Sequence, residues 1–100
     1  MTNWTSSSVV IRHDVGLHAR PSVKLTKLAK TFASVTEIAG SPDGPWIDAK
    51  SIVKVMGMKA KQDSTLYLRA SGSDAVAAIE ALKCLVERDF DEDAAHAASG

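Results

Sequence analysis

The sequence has little of what marks secreted, membrane-bound or nucleic-acid-binding proteins. Its single cysteine, Cys84, cannot form a disulfide within the chain, which argues against a secreted, disulfide-stapled fold. No apolar run approaches the roughly 20 residues of a membrane span, and Met1 to Ser8 is polar, unlike a signal peptide. Twelve basic residues balance 12 acidic ones, so no overall positive field favours nucleic acid or an anionic membrane. We therefore expect a cytoplasmic protein that binds neither.

The length of 100 residues and the balanced composition, 45% hydrophobic and 24% charged, fit one globular domain. We expect a flexible N-terminus over residues 1–8 and a domain over residues 9–90. Residues 91–100 begin with three acidic side chains and continue as an alanine-rich stretch. Such a tail buries too little apolar surface to offset its ordering entropy, so we expect it to be disordered.

Strand and helix patterns alternate between these ends. The β-branched residues 9–11 predict a strand, and a helix starts near Pro21, since proline suits a first helical turn. Further strands are predicted at 34–39, 46–49 and 65–70, with a turn-rich hairpin connection at 40–45. Further helices are predicted at 52–56 and in a last segment capped by Ser73 or Asp74. The alternation in 65–70 and the helical spacing of apolar residues predict the buried faces: Leu66, Leu68 and Ala70 in the strand, Pro21, Leu25, Leu28, Ala29 and Phe32 in the first helix, and Ala75, Ile79, Leu82 and Val86 in the last. The order βαββαβα predicts an α+β two-layer open-faced sandwich, with a four-stranded antiparallel sheet and three helices on one face.

Residues 16–21, GLHARP, lie where the first loop is expected to become a helix. The first N–H groups of a helix lack partners within the helix and carry partial positive charge, so this end can bind an anion. His18 there can hold a phosphoryl group, Arg20 adds a planar cation, and Gly16 permits a tight turn. The positive surroundings favour neutral imidazole, the nucleophilic form. One histidine beside one arginine is nevertheless common in ordinary surface loops.

This motif resembles the active-site signature of HPr, the histidine-containing phosphocarrier family of the phosphoenolpyruvate-dependent phosphotransferase system. A second stretch, residues 49–56 with the sequence AKSIVKVM, is similar to the regulatory serine segment of the same family. The predicted element order also agrees, and the resemblance covers about residues 9–90.

The resemblance implies a role for each matching residue. His18 would take a phosphoryl group on Nδ1 from phosphorylated Enzyme I and pass it to an A-type component, with help from Arg20. Gly16 and Ala19 would form the phosphate-binding helix start. The protein would be a stoichiometric carrier rather than a stand-alone catalyst, monomeric, and without a metal or organic cofactor.

Ser51 has two compatible interpretations. It can cap the short helix that follows, and a phosphate at a helix N-terminus is favourable for the helix. The resemblance further implies that an HPr kinase/phosphatase modifies Ser51 and thereby regulates the carrier.

The apolar residues after Ser51 are too many for a short helix to bury. Some must pack in the core, and we expect Ile52, Val53 and Met56 to form a partner-docking patch, since methionine adapts to several partners. Lys24 and Lys27 would add a basic rim for an acidic partner, although lysines on a helix are often simply solvated.

Two alternatives stay open. Residues 90–93, FDED, are similar to the end of NPr, the carrier of the nitrogen-related regulatory branch, whereas the segment around Ser51 favours the kinase-regulated type. A Ser-phosphorylated co-regulator module without carrier activity is the second alternative, and the presence of His18 argues against it.

Overall fold

Four strands and three helices follow one another in the predicted order. The computed structural model describes residues 4–12 and 19–88. The strands are β1 (Thr5–Val10), β2 (Val35–Ala39), β3 (Ile47–Asp48) and β4 (Thr65–Ser71), and the helices are α1 (Ala19–Lys30), α2 (Ile52–Gly57) and α3 (Ala75–Glu87). The open-faced α+β sandwich is thus confirmed. Within these residues no helix is long and apolar enough to cross a membrane.

The strands form one sheet in the order β1-β4-β2-β3, and every neighbouring pair is antiparallel. In β4, Thr65 pairs with Val10, whereas Ser71 pairs with Val35 at the start of β2. We call these two edges of the sandwich the Val10 end and the Ser71 end. Because β1 and β2 are both antiparallel to β4, they are parallel to each other. The helix that joins them, α1, must therefore carry the chain from the Val10 end back to the Ser71 end.

The core lies between one face of the sheet and the helices. In β4, Leu66, Leu68 and Ala70 are fully buried, and the residues between them are half-exposed, which is the period-two pattern that the sequence predicts. The helices contribute the apolar stripes expected from their spacing, with Leu25 and Ala29 from α1 and Ala75, Ile79, Leu82 and Val86 from α3 all buried. Burying one leucine side chain contributes about 1.5–3 kcal/mol.

The first strand begins earlier than expected. Thr5 to Ser8, which the sequence placed in a loose N-terminus, pair with β4 from Ala70 to Tyr67. Serine has little intrinsic strand preference, but backbone hydrogen bonds to the seven-residue β4 extend the strand across it. The expectations for residues 1–3 and for the tail, residues 91–100, lie outside the described residues. The remaining boundaries differ by one or two residues, and α1 starts at Ala19 rather than near Pro21.

The other face of the sheet carries an aromatic stack that joins all four strands. The guanidinium carbon of Arg69 lies 4.2 Å from the ring centroids of both Trp4 and Trp46. Arg69 is also paired with Glu37, with 2.6 Å between Nη2 and Oε1. Because Trp4 precedes β1, Glu37 belongs to β2 and Trp46 precedes β3, the stack ties both edge strands to the centre of the sheet.

Asp74, directly before α3, closes the Ser71 end. Its carboxylate accepts hydrogen bonds from the backbone N–H groups of Ala33 and Ser34, each at 2.9 Å, and from the Ser34 hydroxyl. Gly72 allows Ser34 to lie this close to the chain before α3, since a Cβ on Gly72 would lie 2.6 Å from the Ser34 Oγ. Asp74 is the N-cap residue of α3, one of the two positions that the sequence predicts, but its side chain makes no capping hydrogen bond and instead joins α3 to the turn between α1 and β2.

These bonds predict a pH-dependent contribution to stability. The Ser34 hydroxyl and the Ala33 and Ser34 N–H groups hold the pKa of Asp74 below its ordinary 3.8. The carboxylate therefore stabilises the fold above that ordinary value, and the contribution is lost as pH falls through the lowered pKa. Asp74→Asn should be less stable than wild type near neutral pH, with a gap that narrows in acid. Urea unfolding at several pH values measures this, and a gap that stays constant into strong acid would contradict it.

Candidate functional site

Of the predicted phosphoryl site, residues 16–21, the structure describes the part from Ala19 onward, where α1 starts. Gly16 and His18 lie outside the described residues, and His18 immediately precedes Ala19, the first residue of α1. Arg20 is exposed in the first turn, which contains no acidic residue. The orphan N–H groups of a helix start and the Arg20 guanidinium therefore present positive charge with no carboxylate of this turn to offset it.

Burial on the opposite side of α1 holds this start in place. Pro21 is buried in the first turn, and Leu25 and Ala29 are completely buried one and two turns later. Proline has no backbone N–H and therefore removes none of the hydrogen bonds that a first turn could make. The buried apolar stripe thus packs α1 against the core, and Arg20 in the first turn is exposed to solvent.

Ser51 lies away from this helix start. It is the N-cap of α2, with φ −103° and ψ 110°, and its Oγ accepts a hydrogen bond from the Lys54 N–H at 3.4 Å. The predicted cap is therefore confirmed. The neighbouring Lys50 donates from Nζ to the Phe32 carbonyl at 2.8 Å, just past the end of α1. Since α1 has 12 residues and is about 18 Å long, Ser51 lies near the opposite end of α1 from Arg20.

Apolar side chains are exposed on both α1 and α2, which pack against each other. Val53 is 77% exposed and Met56 is 42% exposed, whereas Ile52 is half-buried and Val55 is in the core. On α1, Val23 is 44% exposed, although sequence reasoning did not single it out. Its position off the stripe of buried α1 residues is the signal that would have found it.

The predicted basic rim lies on α1. Lys27 is exposed and Lys24 is half-buried, with Lys27 in the last turn of the helix. Lysines near a helix C-terminus interact favourably with its dipole, so part of this charge serves the helix itself.

No metal centre is found in the described ranges. Among residues 4–12 and 19–88, no three or more His, Cys, Asp or Glu side chains are grouped so that they could hold a metal ion. A largely apolar cavity of about 540 Å³ lies beside α2, where the connection between β2 and β3 meets Ile47, Lys54 and Met58. It holds no pair of titratable groups suited to acid–base chemistry.

Comparison with known proteins identifies the family to which this chain is similar. The family model described as the PTS HPr component phosphorylation site matches residues 5–88. The phosphocarrier protein NPr of Proteus mirabilis is 36% identical over 85 residues, covering 85% of this chain and 93% of that protein. The phosphocarrier protein HPr of Cupriavidus necator is 43% identical over 82 residues, covering 82% of this chain and 90% of that protein.

A solved structure agrees in three dimensions. The crystal structure of HPr-C-His from Thermoanaerobacter tengcongensis superposes with a TM-score of 0.79 at 32% sequence identity, covering 86% of this chain and 94% of that one. The sequence matches span both HPr and NPr, and the match in fold extends over the whole sandwich. The chain therefore belongs to the HPr family of phosphocarrier proteins of the phosphotransferase system.

Proposed function

We propose that His18 is the phosphoryl acceptor of this carrier, receiving the group from phosphorylated Enzyme I and passing it to a histidine of an A-type component. The observation that supports this best is the start of α1 directly after His18, with Arg20 exposed and no acidic residue in the first turn. A helix start of this kind stabilises a phosphoryl group on the preceding residue.

The chemistry needs few groups. The lone pair of the His18 Nδ1 forms a new P–N bond while the P–N bond to the donor histidine breaks, so the phosphoryl group passes between two rings without hydrolysis. Charge-assisted hydrogen bonds from Arg20 stabilise the phosphoryl oxygens. Donor and acceptor bonds are of the same type, so transfer can run in either direction and no cofactor is required.

Labelling with radioactive phosphoenolpyruvate and Enzyme I tests this function. Wild type should acquire about one acid-labile phosphate per chain, and His18→Ala should acquire none, because phosphohistidine hydrolyses in acid. His96→Ala is the matched control and should be labelled like wild type. Label that survives in His18→Ala would overturn the proposal.

Arg20 should act on the rate of transfer rather than on folding, because its side chain is exposed. A hydrogen bond to a charged group contributes about 1.5–3 kcal/mol, so Arg20→Gln should slow phosphoryl acceptance by about ten- to a hundredfold. Arg20→Lys keeps the charge but loses the planar guanidinium, so its rate of phosphoryl acceptance should lie between those of wild type and Arg20→Gln. Rapid-quench kinetics measure these rates, and equal rates in all three proteins would exclude this role.

We further propose that phosphorylation of Ser51 by an HPr kinase/phosphatase regulates the carrier through the docking surface of α1 and α2. Ser51 caps α2, the helix that carries exposed Val53 and Met56. A phosphate there is compatible with the helix start and adds negative charge beside Lys50 and Lys54. Its effect would therefore reach His18 through partner docking, since Ser51 lies near the far end of α1.

Charge at Ser51 should slow phosphoryl transfer without unfolding the domain. Ser51→Asp is expected to accept phosphate from Enzyme I several-fold more slowly than wild type, mainly through a higher KM, because like charges repel at the interface. Ser73→Asp is the matched control, since Ser73 is an exposed serine that also lies before a helix, but that helix is α3 and not part of the docking surface of α1 and α2. Equal rates for Ser51→Asp and wild type would contradict this regulation.

The branch that this carrier serves is a separate matter. The similarity to both an HPr and an NPr protein supports membership in either the sugar-uptake or the nitrogen-related branch. Competition between A-type components of the two branches for phosphate from the labelled chain distinguishes them. We propose a cytoplasmic monomer in both cases.

A further inference from the structure

The last helix, α3, ends at the edge of the sandwich where α1 begins. Asp74, directly before α3, accepts a hydrogen bond from the Ser34 N–H at the Ser71 end. Glu87, at the end of α3, lines the same groove as Val10 and Thr65. Helix α3 thus runs along the sheet to the Val10 end. Residues 89–100, which lie outside the described ranges, follow the helix after one further residue, Arg88.

Charge is divided unequally between the domain and these residues. Residues 1–88 contain all 12 Lys and Arg and eight of the 12 Asp and Glu, which gives a formal charge of +4, whereas residues 89–100 carry the other four acidic residues and a charge of −4. The four carboxylates surround one aromatic side chain in the segment 89–93, DFDED. We call these five residues the acidic segment.

A groove at the Val10 end matches this segment in chemistry. It has a volume of about 340 Å³ and lies between the end of β1 and the last turns of α3, where Arg12 and Lys83 provide positive charge. Its wall includes Val10, which is 40% exposed. Glu87 is its acidic lining residue and belongs to the same helix turn that leads into the acidic segment.

We propose that the acidic segment binds in this groove, with Phe90 against Val10 and its carboxylates paired with Arg12 and Lys83. The distance is short enough, because Phe90 follows Glu87 by three residues, which span at most about 10 Å. The apolar side chain and the charges on both sides of it then find complementary partners in one groove. A segment of another protein would need the same acidic and aromatic side chains to bind in this groove. The acidic segment of this chain has the advantage of being tethered beside it.

This contact would regulate phosphoryl transfer, a consequence that rests on the proposed function of His18. The domain without the segment has an excess of positive charge, which raises the rate of encounter with an acidic, phosphorylated partner. The segment offsets that charge at the end where α1 starts. It therefore acts as an electrostatic brake that a docking partner displaces.

Binding of the segment is tested by paramagnetic relaxation. A nitroxide is attached to Ala94→Cys in a Cys84→Ser background, and the amide signals of Val10 and Arg12 should broaden strongly. Replacing the four acidic residues by Asn and Gln should reduce this broadening at least about twofold, as should Arg12→Gln with Lys83→Gln. Lys61→Gln, at an exposed position outside the groove, is the matched control and should leave the broadening unchanged. Broadening that is equal in all of these proteins would overturn the binding proposal.

The brake is tested on the same variants. At low salt, the chain with the neutralised segment should accept phosphate from Enzyme I up to about tenfold faster than wild type, and the difference should vanish at high salt, where surface charges are screened. Equal rates at low salt would overturn the brake. A failure of every variant to accept phosphate would instead refute the function of His18, and the relaxation measurement would still decide whether the segment binds.

Discussion

The antiparallel pairing of β4 with both β1 and β2 is the constraint on which the arrangement of this molecule depends. It makes β1 and β2 parallel, so that α1 has to return the chain across the sheet and must start at the Val10 end. Since β4 ends at the Ser71 end, α3 also runs back to the Val10 end. Strand pairing therefore places the start of α1, directly after His18, and the end of α3 at the same edge of the sandwich.

The functional surfaces divide accordingly. The start of α1 with Arg20 is suited to chemistry on a phosphoryl group, because the helix end and the guanidinium are both positive. The exposed side chains of α1 and α2, with Ser51 as the cap of α2, form a lateral surface suited to docking. In the regulation proposed above, modification of Ser51 changes how a partner docks and leaves the start of α1 intact.

Regular spacing made most of the fold predictable. The alternation of Leu66, Leu68 and Ala70 and the helical stripes correctly identified which faces are buried, and Ser51 was recognised as a cap from its position before an apolar run. Tertiary contacts decided the rest. The strand over Thr5 to Ser8 exists because β4 offers partners, and the stacking of Trp4 and Trp46 on Arg69 joins residues that are distant in sequence. Such contacts leave no local pattern, so sequence reasoning could not find them.

The central claim is that the phosphoryl group resides on His18, and phosphorus–nitrogen coupling in the phosphorylated chain tests it most directly. The chain contains three histidines, so labelling them with ¹⁵N and charging the protein through Enzyme I distinguishes the candidates. We predict a single phosphoramidate signal coupled to Nδ1 of His18. Coupling to His13 or His96, or a phosphoester signal in place of the phosphoramidate, would contradict the account.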